Sequence, residues 1–147
     1  MKLAFVVPIV SSLHSRSHCL RSTSNRIAEG VEYDTIAREW IATYSLDGDK
    51  ASLVACQLAL ESVVEDIHEV EGVKSVQRLV CEDDNEFRVI TNIDATKFQE
   101  WKNDDFFPED VFFEMLGVID GVKDVKSRTS TMLLNVEPSD FEDSDSD

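Results

Sequence analysis

A short pattern occurs twice in this chain and constrains it more than any other feature. Glu71-Gly72-Val73-Lys74-Ser75-Val76 returns as Asp120-Gly121-Val122-Lys123-Asp124-Val125. In each copy a glycine closes a stretch with helical spacing and opens one with alternating spacing. Glycine suits the left-handed position just past a helix end. Two such helix-to-strand turns in a chain of 147 residues predict two similar β-α-β halves that share one sheet.

The hydrophobic periods place the elements of each half. Thr35–Leu46 reads as a strand, with Ile36, Trp40, Tyr44 and Leu46 on one side beside Arg38 and Ala42. Its other side carries Ala37, Ile41 and Thr43 with Glu39 and Ser45. Asp47-Gly48-Asp49 reads as a turn, with Asp49 as the cap of a long helix. Leu53, Cys56, Leu60, Val63, Ile67 and Val70 form the apolar seam of that helix. Val73–Cys81 and Phe87–Ile93 alternate as strands across the polar turn Glu82-Asp83-Asp84-Asn85. Asp94 caps a second helical region, which Asn103-Asp104-Asp105 interrupts and Pro108 restarts. Phe112, Met115, Leu116 and Ile119 face inward from its second part. Val122–Val136 is the last strand, with Val125, Leu133 and Met132 expected inward.

The order is β-α-β-β-α-β, an α+β, ferredoxin-like sandwich with a four-stranded antiparallel sheet and two helices on one face. Over about residues 33–135 the chain resembles the dimeric α+β-barrel group of ferredoxin-like domains. The likeness lies in element order, helix lengths and the Gly-Val-Lys-x-Val turns. The resemblance implies a homodimer in which two open sheet faces meet. Ala37, Ile41 and Thr43 would then lie in that interface. The group includes small monooxygenases and haem-degrading enzymes.

Charge divides the chain into three parts. The formal net charge is −16, yet residues 1–28 hold no Asp or Glu. Lys2, Arg16, Arg21 and Arg26 lie among serines there, and Leu3–Val10 is a short apolar run. An acid-free, Arg- and Ser-rich leader is the composition of an organelle transit peptide. Residues 1–30 are therefore expected to be a targeting presequence, for a plastid rather than a mitochondrion. Residues 31–136 are the domain, and residues 137–147 are an acidic tail too polar to order itself. Ser139 and Ser144 each precede an acid by three residues, Glu142 and Asp147, which makes them candidate phosphorylation sites.

The excess of acids argues against nucleic acid as a partner, because phosphate recognition needs a basic surface. It fits a basic protein partner. No apolar run approaches the length of a membrane span. Three cysteines without paired spacing give neither a disulfide scaffold nor a zinc ribbon. His68 lies among acids with no second ligand at metal spacing, and Cys56 falls on the helix seam as a small core residue. Cys81 precedes the acidic turn, with no base placed to activate it. Glu82, Asp83, Asp84 and Glu86 lack the alternating ligands of a calcium loop. These residues call for no metal, no cofactor and no catalytic set.

What remains is an aromatic cluster. Trp101, Phe106 and Phe107 flank the broken helix and would line a pocket between helices and sheet, with Trp40 and Tyr44 below. Arg38, on the Trp40 side of its strand, would anchor an anionic group there. The expected function is a non-enzymatic interaction or small-ligand-binding module, dimeric and in an organelle. The alternative, following the resemblance, is a small monooxygenase or haem-handling enzyme with its pocket near Trp40.

Overall fold

In the computed structural model the described residues are 25–133. The segment 1–24, the tail and its serines Ser139 and Ser144 lie outside them. Strand β1 is Asn25–Ala28, β2 Val31–Thr43, β3 Val73–Cys81, β4 Glu86–Asp94 and β5 Lys123–Leu133. Helix α1 is Asp47–His68, α2 Ala95–Asn103 and α3 Glu109–Gly117. The fold is the expected β-α-β-β-α-β sandwich, its second helical region broken in two between Asn103 and Glu109. One addition is β1, which makes a fifth strand. β1 folds back on the first residues of β2, Asn25 opposite Tyr33 and Ala28 opposite Val31. It falls inside the stretch assigned to a presequence, where its sequence has no apolar alternation to announce it.

β2 is the central strand. It pairs antiparallel with β4 on one side, Trp40 opposite Val89, and with β5 on the other, Trp40 opposite Ser127. β3 pairs antiparallel outside β4. Ile36, Trp40 and Ala42 face the helices, with Phe87, Val89 and Ile93 beside them on β4. The helices contribute Cys56, Leu60, Val63, Ile67, Trp101, Phe112 and Leu116. The predicted seam of α1 is the buried one, except that Leu53 and Val70 are only half-buried and Ala59 joins it. In β3 a register shift between Val73 and Ser75 turns both Val73 and Val76 to the core, which explains why its apolar residues fit no single alternation.

The repeated turn has a physical reason. Gly72 and Gly121 both adopt positive φ, 94° and 96°. A Cβ on Gly72 would lie 2.6 Å from the Cβ of Lys97, in the first turn of α2. A Cβ on Gly121 would lie 3.0 Å from that of Ser45 and 3.3 Å from that of Ser52, at the start of α1. Each half thus ends by packing its glycine against the beginning of the other half's helix. Both the backbone conformation and the close approach exclude a side chain.

Three local expectations are corrected. Strand β2 stops at Thr43, so Ser45 and Leu46 are not strand residues, and Leu46 is exposed. Asp49 does not cap α1. Gly48, Asp49 and Lys50 form a left-handed turn, φ 61° to 64°, and the Ser52 hydroxyl instead accepts from Ser45 N at 2.8 Å. Met132 is exposed and sits opposite Thr35, on the face away from the helices.

Asp94 does cap α2. Its Oδ1 accepts from the Thr96 backbone N at 2.8 Å and the Thr96 hydroxyl at 2.7 Å. Those bonds, the hydroxyl first, hold its carboxyl below the usual range, with Lys74 and Lys97 adding to them against partial burial. A carboxyl depressed in the folded state stabilises above its unfolded pKa and loses that contribution as pH falls through the folded one. Asp94→Ala should therefore cost about 1 kcal/mol at pH 7. The gap to wild type should shrink below about pH 4, the ordinary range for Asp. Urea midpoints at pH 7 and pH 3 measure it, and an equal loss at both would contradict the cap.

Candidate functional site

The most organised polar group in the described structure stands on the helix side of the sheet, between β2, β5 and the start of α3. Pro108 precedes α3 and places Glu109 in its first turn, where a carboxylate is favoured by the helix dipole. Glu109 points back at the sheet. Arg38 meets it in the bidentate fork that a guanidinium and a carboxylate allow. Nε donates to Oε2 at 2.9 Å and Nη2 to Oε1 at 3.0 Å. The Trp40 indole N–H donates to the same Oε2 at 2.6 Å. The register of β5 brings two hydroxyls opposite this part of β2. Ser127 Oγ accepts from Nη2 at 2.8 Å and Thr129 Oγ1 from Nη1 at 2.7 Å. Both charged side chains are largely buried, 13% and 14% exposed.

Aromatic rings close the arrangement. The Arg38 guanidinium lies over Phe106, 3.8 Å from the ring centroid, a stacked cation–π contact. Trp40 stacks on Phe112 at 5.1 Å and meets Phe113 edge-on at 6.2 Å. Above this floor is a cleft of about 600 Å³, open to solvent, lined by Arg38, Asp105, Phe106, Glu109, Asp110 and Phe113 and by Glu114 on its rim. That volume is in the range of small-molecule sites.

Of the four residues expected to line a pocket, the structure brings together Arg38 and Trp40. Tyr44 is buried in the core past the far end of β2, roughly 20 Å along the chain direction at 3.3 Å per residue. Trp101 is buried too, its indole N–H given to Phe107 O at 2.8 Å. It reaches the cleft only through Phe106, which it meets edge-on at 5.2 Å. Trp101 lines a different, smaller cleft with Lys97, Glu71 and Phe107. Glu109, Ser127 and Thr129 are the site residues that the sequence reading misses. The signal for Glu109 was present. An arginine on the inner face of a central strand needs a carboxylate, and Pro108-Glu109 opens the helix packed over that face.

The other face of the sheet carries the residues expected at a dimer interface. Ala37 and Ile41 are there, opposite Asn92 and Ser130, and Arg88 and Lys126, respectively. Within the single chain they are already covered by their neighbours. Ala37 is 6% exposed and Ile41 2%, while Thr43 is half-buried. Between them Glu39 is clamped by Arg88 at 3.4 Å and Arg128 at 3.1 Å. The apolar atoms left open on this face are those of Leu79 and Met132, with Ile90 half-buried.

Among the described residues, no group of His, Cys, Asp and Glu is placed to hold a metal ion, and no helix is long and apolar enough to cross a membrane. His68 and the Glu82–Asp84 turn are exposed. Cys56 is buried, and burial pushes its thiol up to about 11, which suppresses the reactive thiolate. Cys81 donates to Asp84 Oδ2 at 3.7 Å.

No family model and no curated protein matches the chain. Solved structures do. A monooxygenase of Streptomyces coelicolor from the gene ActVA-Orf6, solved with nanaomycin D, is 19% identical with a TM-score of 0.51, over 72% of this chain and 93% of its own. Rv0793 from Mycobacterium tuberculosis is 11% identical with a TM-score of 0.48, over 70% of this chain and 99% of its own. SO0527 from Shewanella oneidensis is 17% identical with a TM-score of 0.44, over 71% of this chain and 97% of its own. At such identities the likeness concerns architecture alone, and the chain shares a ferredoxin-like fold with the Streptomyces coelicolor protein.

Proposed function

We propose that this domain is a small-ligand-binding module whose site is the cleft over Arg38 and Phe106, and that it works as a homodimer joined by the open sheet face. One observation carries the first part. A buried guanidinium is fixed on four sides at the floor of an aromatic-walled cleft, by Glu109, Ser127, Thr129 and Phe106. Such rigid polar groups in an apolar recess are the usual means of orienting a ligand. The reading is binding rather than catalysis because the ionisable groups at the floor are committed to each other. Glu109 accepts from Arg38 through both oxygens and from Trp40.

The test uses the Trp40 indole N–H as a reporter in nitrogen–proton NMR spectra. Titration with a panel of small aromatic compounds should move that resonance and leave the Trp101 indole in place. A panel that moves Trp101 alone, or neither, rejects the site. A second reading follows the fold shared with the Streptomyces coelicolor monooxygenase and puts oxygenation of a hydroquinone in the same cleft. Oxygen uptake with hydroquinone, above that of protein-free buffer, would favour it over binding alone.

The organelle address is part of the same proposal. The acid-free leader supports import with cleavage, and β1 begins at Asn25, so a cut upstream of that residue keeps the whole sheet. N-terminal sequencing of native protein should find a start between about Ser12 and Asn25. An intact Met1 would remove the address. A basic protein partner remains in keeping with the net charge of −16.

A further inference from the structure

We infer that the cleft over Phe106 and Phe113 selects small aromatic cations and discriminates against anions; this rests on the cleft being a ligand site. The sequence suggests the opposite, since Arg38 is the cleft's base. The hydrogen bonds reverse that. Arginine has five N–H donors. Four of those on Arg38 are taken, two by Glu109 and one each by Ser127 and Thr129. One face of the guanidinium is stacked on Phe106. An incoming carboxylate would find a single free donor, and beside it the Glu109 carboxylate that already neutralises the charge.

The remaining charges on the cleft all have one sign. Asp105, Asp110 and Glu114 line it with Glu109. All three are exposed, and none of them forms an ion pair among the described residues. Asp110 Oδ1 only accepts from the neighbouring Val111 N at 2.9 Å. The walls are ring faces and edges, Phe106 and Phe113. A flat ring bearing an amidinium or ammonium group satisfies both features. Its ring packs on Phe113, its charge sits among three unpaired carboxylates, and the aromatic quadrupoles favour the same sign.

Three probes of one shape and different charge test it: benzamidine, benzamide and benzoate. Each is titrated into the labelled full chain and followed at the Trp40 indole N–H, at low and at moderate salt. Benzamidine should bind at least tenfold more tightly than benzoate, with benzamide between. The preference should narrow as salt rises, because the rim is solvated. The double variant Asp110→Asn, Glu114→Gln should abolish most of the gap between benzamidine and benzamide. General attraction of a cation to an acidic chain is separated by place. Shifts at the Glu82–Asp84 turn equal to those at Trp40 would overturn the selectivity. So would benzoate binding as tightly as benzamidine, although the cleft would then stand as a ligand site. If no probe moves the Trp40 indole, the site reading itself fails.

Discussion

Glu109→Ala should destabilise the domain by about 3 kcal/mol, the lower end of what removing one partner from a buried ion pair costs. The loss has two sources. Arg38, 13% exposed, keeps its charge and loses the fork that compensates it. The Trp40 indole N–H loses its acceptor at 2.6 Å in a residue 1% exposed, and an orphaned buried donor costs about 1–3 kcal/mol. The open cleft lets water reach the guanidinium, and Ser127 and Thr129 still hold it, which places the total at the low end. Two controls separate the sources. Glu109→Gln leaves an acceptor for Trp40 and should recover part of the loss. Arg38→Met with Glu109→Leu removes both charges and should be more stable than Glu109→Ala, because no uncompensated charge remains. Urea denaturation of the four proteins measures this. A Glu109→Ala domain within about 1 kcal/mol of wild type, roughly the value of a solvent-exposed pair, would mean that the cluster is a surface ion pair.

This cluster shows where sequence reading stops. Periodicity assigned the helix seam through Leu60, Val63 and Ile67, and all three are buried. Glycine chemistry placed Gly72 and Gly121 at helix ends; α1 stops at His68 and α3 at Gly117, so the glycines take their positive φ in the turns that lead on to β3 and β5. Asp94 and Pro108 signalled the starts of α2 and α3 because a cap and a ring-fixed φ act within a few residues. Glu109 could not be found that way. Its partner lies 71 residues earlier, and the pairing depends on how α3 crosses the sheet. Tyr44 and Trp101 failed for a related reason. Aromatic content implies a shared core but not which rings reach the same cleft. Tyr44 lies past the end of β2, and Trp101 turns its N–H to Phe107. The left-handed turn at Gly48, Asp49 and Lys50 suits Gly and is tolerated by Asp but runs against the local preference of Lys. It follows the tertiary corner where Ser45, Ser52 and Gly121 pack together.

Ile90→Lys should convert a dimer to monomers while leaving the fold intact. The dimer is expected to form through the face opposite the helices. On that face Leu79 and Met132 stand 46% and 41% exposed. Ile41, the residue that sequence points to, is the wrong place to probe. At 2% exposure a glutamate there would bury a charge and unfold the protein for reasons unrelated to assembly. Ile90 is half-buried on the same face, opposite Glu39 and Gln77. A half-buried lysine keeps its stem along the sheet and carries its amine out to solvent, so the monomer tolerates it. Across a two-fold axis, however, it brings a second lysine towards the first. Against association stands the net charge of −16 on each chain, which repels over a Debye length of about 10 Å at 0.1 M salt. The interface itself is less hostile, because Arg88, Lys126 and Arg128 gather on it around Glu39 and Glu86. Repulsion therefore acts between the outer surfaces of the two subunits, and salt should strengthen the dimer by screening it. Light scattering at micromolar protein and several salt concentrations should give twice the chain mass for wild type and one chain mass for Ile90→Lys, with equal melting temperatures for the separated subunits. A wild-type mass of one chain at every salt concentration would overturn the dimer.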